Sequence, residues 1–580
     1  MKISFHHEIK PDDKITSDQI IDLILKNRKI KDIDEFLNPS SPLKINLADF
    51  GPPAGGKQQI TKTIKLLEKI KKENGMIVVY TDYDADGITG GAILWETLYL
   101  LDFKVMPYVP HRKNEGYGFS KIGIDNVKKK YNPSLIISVD HGITAKEKVI
   151  YAKKLGIPII ITDHHLKPDK LPIDAEAIFH IPELSGSGVS YFFSKMIFEH
   201  FKVRHPKGVH SDTLRVVFNN FQTDYLVLAS IGTVADMVPL IGPSRSIVKY
   251  GLEAFQHIKR VGLKHILKEA GIEGKKISPY EIGFIIAPRI NAVGRLEHAI
   301  DALRLLCTKD EKKAEALANH VGERNRERQD MVKKAVEEAL LRIKASEGKL
   351  KKLPKLIILT SDRWHEGIIG LIASKITEKF YRPTIVMTKT DLPAGRQVSF
   401  YKGSARSIAS FHITNFLRDL KKYLIDVGGH KGAAGFTIEE KNITIFSPAA
   451  IKMVNKLIKN KDLERKIEAD LKIPLSKATL RVAKELEKLA PFGIGNPSPI
   501  FYSQGELIDA KLFGKNSDYL KIFLKNENSF PLELISFNSA DQFTKLSRGK
   551  MIDVVFNLEV NRWGGEEKVR GKIIYYSLIE

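Results

Sequence analysis

The chain has 580 residues, 43% of them hydrophobic, enough for about three or four domains with conventional cores. Lys and Arg number 92 against 69 Asp and Glu, a net charge of +23 with a pI near 9.5, which favours a polyanionic partner over a small neutral substrate. The one cysteine, Cys307, excludes an intramolecular disulfide and suits a reducing cytosol. No run approaches the ~18 apolar residues of a membrane span, and the N-terminus lacks the apolar centre of a signal peptide.

Residues 1–56 read as a helical lead-in, with helix pattern from Ser17 to Lys26 and a closing loop from Phe50 to Gly56. A parallel-sheet domain is expected over 57–245. The apolar run Met76–Tyr80 is followed by Asp82, Asp84 and Asp86, and alternate residues of an extended segment share a face. Three carboxylates so close repel one another unless divalent cations cancel the charge. Leu135–Val139 ends at Asp140, and Ile157–Thr162 ends at Asp163, His164 and His165. Helical stretches near 88–101 and 144–155 follow the first two runs, the signature of a parallel sheet. Ligands of such sheets sit beyond the carboxyl ends of the strands, so these groups should gather at one edge. Asp236 lies inside the apolar segment Ala229–Leu240, where an unpaired charge is costly. Any one of these acids could be a helix cap, but a set of six with two histidines is a metal-site pattern. Carboxylate and imidazole without cysteine suit two Mn²⁺ or Mg²⁺ ions, whereas zinc takes more His or Cys.

A helical connector follows over 246–353, ending in a long charged helix from Lys309 to about Lys349, read as a spacer between lobes. Residues 354–460 read as a second α/β lobe with strands Lys355–Leu359 and Pro383–Met387 and a helix near 367–380. Its loops carry Ser404 and Arg406, then Gly428, Gly429 and His430, residue types that handle phosphate through guanidinium and backbone amides. Thr388–Gln397 reads as a hairpin extension. Residues 466–580 are β-rich with short strands, suiting an OB fold. There Tyr519 and Trp563 are candidates for base stacking, Phe492 for the core, and Lys515, Lys521 and Lys525 for phosphate contacts.

In order along the chain, Thr81–Gly87, Ser138–Gly142, Asp163–His165 and Val234–Pro239 resemble the four motifs of the DHH phosphoesterase superfamily. Pro288–Arg295, Trp364–Gly370, Gly403–Ser407 and Gly428–His430 extend the likeness, which runs from about residue 18 to the C-terminus. The architecture it implies is a DHH catalytic domain, a long connecting helix, a DHH-associated lobe and an OB-fold domain. By that resemblance Asp82, Asp84, Asp86, Asp140, His164 and Asp236 are metal ligands, with Asp140 the bridge. His165 faces the phosphate and Asp163 orients its neighbours. Ser404, Arg406, Gly428, Gly429 and His430 bind phosphate, with Arg289 and Arg295 as weaker candidates. The implied activity is a Mn²⁺- or Mg²⁺-dependent exonuclease on single-stranded DNA, 5′ to 3′, in recombination and repair. It would be cytoplasmic and monomeric, with a helicase and a single-strand-binding protein as partners. The alternative is a phosphodiesterase of short oligoribonucleotides or cyclic dinucleotides, which would have less need of residues 466–580 or of the positive charge. The 388–397 segment departs from the family, which has a shorter turn there.

Overall fold

The computed structural model describes residues 2–51, 56–203, 211–350, 353–390, 399–525, 530–537, 543–544 and 546–579. They form two compact units. One holds Arg295–Glu297 and Gly322–Ile467 with the extreme N-terminus, and the other holds Ile3–Gly294, His298–Val321 and Glu468–Glu580.

The larger unit begins with strand β1 (Lys2–Glu8) and the helix Ser17–Asn27. That helix starts where Thr16 and Gln19 exchange side-chain-to-backbone hydrogen bonds, a reciprocal cap. The N-terminal stretch is not the separate lead-in expected. Ile20, Ile21, Ile24, Leu25 and Phe36 are buried in one core with Leu471, Phe501 and Phe556 of the C-terminal sheet. An 11-residue helix with one apolar stripe cannot bury that stripe alone.

The parallel sheet comprises β2 (Ile77–Thr81), β3 (Val105–Tyr108), β4 (Leu135–Val139), β5 (Ile159–Asp163) and β6 (Ala177–His180). Their order is β3-β2-β4-β5-β6 and every pairing is parallel. β2, β4 and β5 are buried at every position because helices cover both faces. β3 and β6 were not read from sequence. Both are four-residue edge strands, and β3 carries Pro107, which an edge tolerates. The helix Ala85–Leu100 is buried almost all round. A Cβ on its Gly91 would lie 2.1 Å from Thr81 Cγ2, so only glycine lets the helix approach β2 this closely.

The smaller unit contains a mixed sheet of β7 (Ile357–Thr360), β8 (Thr384–Thr390), β9 (Phe400–Arg406), β10 (Leu424–Gly429) and β11 (Ala433–Glu439), in the order β10-β11-β9-β8-β7. β8 and β9 pair antiparallel from Thr390↔Phe400 inward, as a hairpin extension requires. Its tip, residues 391–398, lies outside the described residues, as do residues 52–55 of the expected Phe50–Gly56 loop. The charged connector is one helix, Glu311–Leu350. Its Ala314, Ala318 and Val321 join the core of the larger unit, and its Ala335, Ala339 and Ile343 that of the smaller.

The C-terminal sheet belongs to the larger unit. It comprises β12 (Lys466–Lys472), β13 (Phe501–Phe513), β14 (Tyr519–Lys525), β15 (Leu532–Ser536), β16 (Met551–Trp563) and β17 (Glu566–Leu578) with β1, in the order β1-β12-β13-β14-β15-β17-β16. An added β13–β16 pairing curls it toward a barrel. Phe492 packs against its core, as expected.

Candidate functional site

At the carboxyl edge of the parallel sheet the chain turns repeatedly from strand into loop or helix, and each turn delivers an acid or a histidine. Asp82 follows β2. Asp84 caps the next helix, its Oδ1 accepting from the amides of Asp86 and Gly87 at 3.0 and 3.1 Å. Asp86 sits in the first helical turn. The three therefore do not share one extended face as the spacing suggested. Helix begins at Asp84, a favoured N-cap residue, and the helical turn, not strand alternation, brings Asp86 round. Asp140 follows β4 with φ +68°, a left-handed conformation that aspartate tolerates better than most residues. Asp236 ends the helix Asp224–Ala235.

These residues form three overlapping groups, each with ligand atoms within 4.8 Å of one another. They are Asp82, Asp84 and Asp140; Asp86, His164 and Asp236; and Asp140, His164 and His165. Asp140 belongs to two of the three. Its Oδ1 lies 3.1 Å from His164 Nε2, which is also 3.4 Å from Asp236 Oδ2. Asp140 Oδ1, His164 Nε2 and Asp82 Oδ1 are nevertheless buried with no hydrogen-bond partner. Buried polar atoms are seldom left unpaired, and lone pairs converging on a common space are what a cation requires. The oxygen-rich donor set with one imidazole fits Mn²⁺ or Mg²⁺.

The electrostatics agree. Burial, then the neighbouring Asp84, pushes the Asp82 carboxyl well above the usual range. Burial with Asp86 and Asp84 does the same to Asp140 and lifts Asp236 to about 8. Such carboxylates ionise together only beside compensating positive charge. Asp86 is anchored separately. Its two oxygens accept the amides of Gly186 and Ser187 at 2.6 and 2.9 Å, at the start of the helix Gly186–Val203. A Cβ at Gly186 would lie 2.4 Å from that of Asp140, so the position admits no larger residue.

Asp163 organises its own turn. Its Oδ1 accepts the amides of His164 and His165 and lies 2.8 Å from His165 Nδ1, while Oδ2 accepts the amide of Ile143. Burial alone would raise its pKa, but the contact with His165 prevails and holds it well below the usual range. For His165, burial opposes the charged form, yet Asp163 and the surrounding carboxylates raise its pKa to about 9. His165 Nε2 lies 3.2 Å from the hydroxyl of Tyr117, which donates to the Asp140 carbonyl. Tyr117, Gly186 and Ser187 were missed in the sequence, because they belong to loops and a helix start with no acidic or imidazole signature. Asn291, inside the expected Pro288–Arg295 motif, holds the site from behind by accepting the Ala85 amide at 2.8 Å.

The smaller unit presents the phosphate candidates. Ser404 lies across from Gly435, and Gly435 across from Gly428, in one row over three strands. Arg406 ends β9. Its Nε donates to Ser374, and its Nη1 to Ser404 and the Ala405 carbonyl. No carboxylate pairs with it among the described residues, and burial lowers its pKa. A Cβ on Gly370 would lie 2.9 Å from Nη2, so a glycine leaves that nitrogen approachable. His430 forms the bend after Gly429, its amide bonded to the Ala433 carbonyl. Arg295 donates to the Gly367 carbonyl. Arg289 does not fit the duty suggested for it. Its guanidinium is taken by Glu269 at 2.6 Å and by the Ile285 carbonyl, because a charge this buried needs its counter-ion.

Three family descriptions match the chain: the DHH family, N-terminal domain over residues 76–219, the DHHA1 domain over 353–460 and the RecJ OB domain over 469–575. Escherichia coli (strain K12) has a single-stranded-DNA-specific exonuclease RecJ that is 30% identical over 525 residues, covering 88% of this chain and 89% of its own. This chain belongs to the RecJ family. The Bacillus subtilis RecJ is 33% identical over 522 residues, 90% of this chain, and this chain spans 63% of that relative's length. Among solved structures, Thermus thermophilus RecJ in complex with Mn²⁺ superposes with a TM-score of 0.78 at 26% identity, covering all of this chain and 80% of its own.

Proposed function

We propose that this RecJ-family chain is a divalent-cation-dependent exonuclease that hydrolyses phosphodiester bonds of single-stranded DNA, 5′ to 3′, in recombination and repair. The observation that carries the reading is the shared Asp140, whose buried, unpartnered Oδ1 falls in one ligand group with Asp82 and Asp84 and in another with His164 and His165. In this reading Asp82, Asp84 and Asp140 would hold one ion and Asp86, His164 and Asp236 the other, with Asp140 near enough to His164 to serve both. Two Mn²⁺ or Mg²⁺ ions, when bound, make water nucleophilic at neutral pH and offset charge on the phosphoryl group. Asp163 fixes the ring of His165, which stands beside the cluster to face a phosphate oxygen. The cytoplasm as its compartment and a helicase and single-strand-binding protein as its partners belong to the same reading. Among the described residues no helix is long and apolar enough to cross a membrane.

The test is hydrolysis of end-labelled long single strands, duplexes and dinucleotides with Mn²⁺. Progressive shortening of the single strand from its 5′ end, with the duplex spared, is expected. Preference for dinucleotides would instead support the small-substrate phosphodiesterase.

Arg406, backed by Ser404, is proposed to take the terminal or a backbone phosphate. Arg406→Ala is then expected to raise KM more for 5′-phosphorylated than for 5′-hydroxyl strands. An equal loss on both would remove end recognition from this end of β9.

The C-terminal sheet is proposed to grip the strand away from the cut. The Tyr519 ring stands 5.4 Å from Phe513 and 5.1 Å from the exposed Phe537, with Lys521 over Phe513 and Lys572 over Phe537. Deleting residues after 460 is a poor test, because Ile20, Ile24 and Phe36 would lose their core. The pair Phe537→Ala and Lys572→Ala changes only exposed side chains and is expected to keep the fold. It should cost roughly 1–3 kcal/mol per lost stacking contact and reduce the salt slope by about 0.7, measured by affinity for a long single strand. Turnover of a short oligonucleotide should be unchanged.

A further inference from the structure

His180 ends the edge strand β6, opposite Asp163 in the register. It is 2% exposed, and its Nε2 lies 2.6 Å from the carbonyl oxygen of His165. A carbonyl only accepts, so Nε2 carries the proton and Nδ1 is left as an acceptor. Nδ1 is buried and has no partner. An imidazole that leaves one nitrogen unsatisfied in the interior costs stability that an apolar ring of the same shape would not. Packing alone therefore does not explain a histidine here.

What the bond does follows from the turn it closes. On the amino side, Asp163 holds the amides of His164 and His165 and the His165 ring. On the carboxyl side the chain leaves through Leu166, which is 70% exposed and brings no packing to hold the peptide. The His180 bond clamps the His165 carbonyl at that open side. The amide of Ile181 adds a bond to the Asp163 carbonyl, so the last residue of β6 and the one after it steady both ends of the turn. We infer that His180 is a positioning residue: by holding the His165 peptide it aims the His165 imidazole, and with it His164, at the reacting phosphate. The inference rests on the nuclease reading for its kinetic consequence, but the clamp is a property of the fold.

Two substitutions separate the hydrogen bond from the shape. His180→Phe keeps the ring and removes the donor. His180→Gln keeps a donor that reaches where Nε2 stood. With Mn²⁺ and a single-stranded substrate, His180→Phe is expected to lower kcat about 10- to 100-fold, the range seen when outer groups that orient site residues are lost, with KM within about threefold of the parent. His180→Gln should recover most of the kcat. Thermal unfolding confirms that each variant folds, and His180→Leu replaces the Phe variant if that one does not. A second readout does not depend on the substrate. In ¹⁵N-histidine-labelled protein the ring signals of His165, assigned by their loss in His165→Gln, should move in the Phe variant and return in the Gln variant. Unchanged kcat and ring signals in His180→Phe would overturn the inference, as would equal impairment of both variants. A parent without nuclease activity but with ring signals that follow this pattern would sink the nuclease reading and leave the clamp standing.

Discussion

Asp140→Ala is expected to lower kcat on single-stranded DNA by roughly 10³-fold or more, the scale of losing a group that stabilises charge in the transition state. Affinity for DNA and the fold should be nearly unaffected. Asp140 shares one ligand group with Asp82 and Asp84 and another with His164, so its loss is expected to damage both proposed ion sites, whereas replacing Asp236 should damage one. The substitution also relieves electrostatic strain. The Asp140 carboxyl is held far above its usual range by burial and by Asp86, Asp84, Asp236 and Asp82. The metal-free variant is therefore expected to unfold at the same temperature as the parent or a higher one. Single-turnover hydrolysis in saturating Mn²⁺ checks the kinetic part. Activity within about tenfold of the parent would remove Asp140 from the bridging position.

Removal of divalent cations should abolish hydrolysis altogether, and Mn²⁺ or Mg²⁺ should restore it while Ca²⁺ restores little. Ca²⁺ prefers about six to eight oxygen ligands at longer distances. Here His164 brings a nitrogen, and the oxygens are fixed by backbone contacts such as those from Gly186 and Ser187 to Asp86. The measurement is the initial rate after exhaustive chelation and readdition of each ion. Equal rescue by Ca²⁺ would contradict a compact, nitrogen-containing ligand set.

That these acids and histidines gather at one sheet edge was legible because chemistry confined them. Acids at the ends of continuous apolar strands have few structural uses, and β2, β4 and β5 were visible as runs buried on both faces. The local geometry was less legible. Asp84 and Asp86 looked like alternate residues of a strand, but the capping preference of Asp84 starts a helix there. Tyr117 and Gly186 act through a hydroxyl and an absent side chain, which carry no sequence pattern. Arg289 sits in a motif-like stretch, and only the fold reveals that Glu269 already neutralises it. The same limit applied to the N-terminus. Its helix was read correctly at Ser17, but the partner of its apolar face, Leu471 and Phe501, lies more than four hundred residues along the chain. β17 was missed because its outward face is lysine- and glutamate-rich, and only pairing with β16 along its length defines it.

The central claim is that buried carboxylates at one sheet edge exist to hold a pair of ions. Calorimetric titration of the metal-free chain with Mn²⁺, beside Asp140→Asn, tests it most directly. Two Mn²⁺ per chain for the parent, with the variant losing tight binding at both sites, is the predicted result. A parent that binds no Mn²⁺ tightly, or a variant that binds as the parent does, would contradict it.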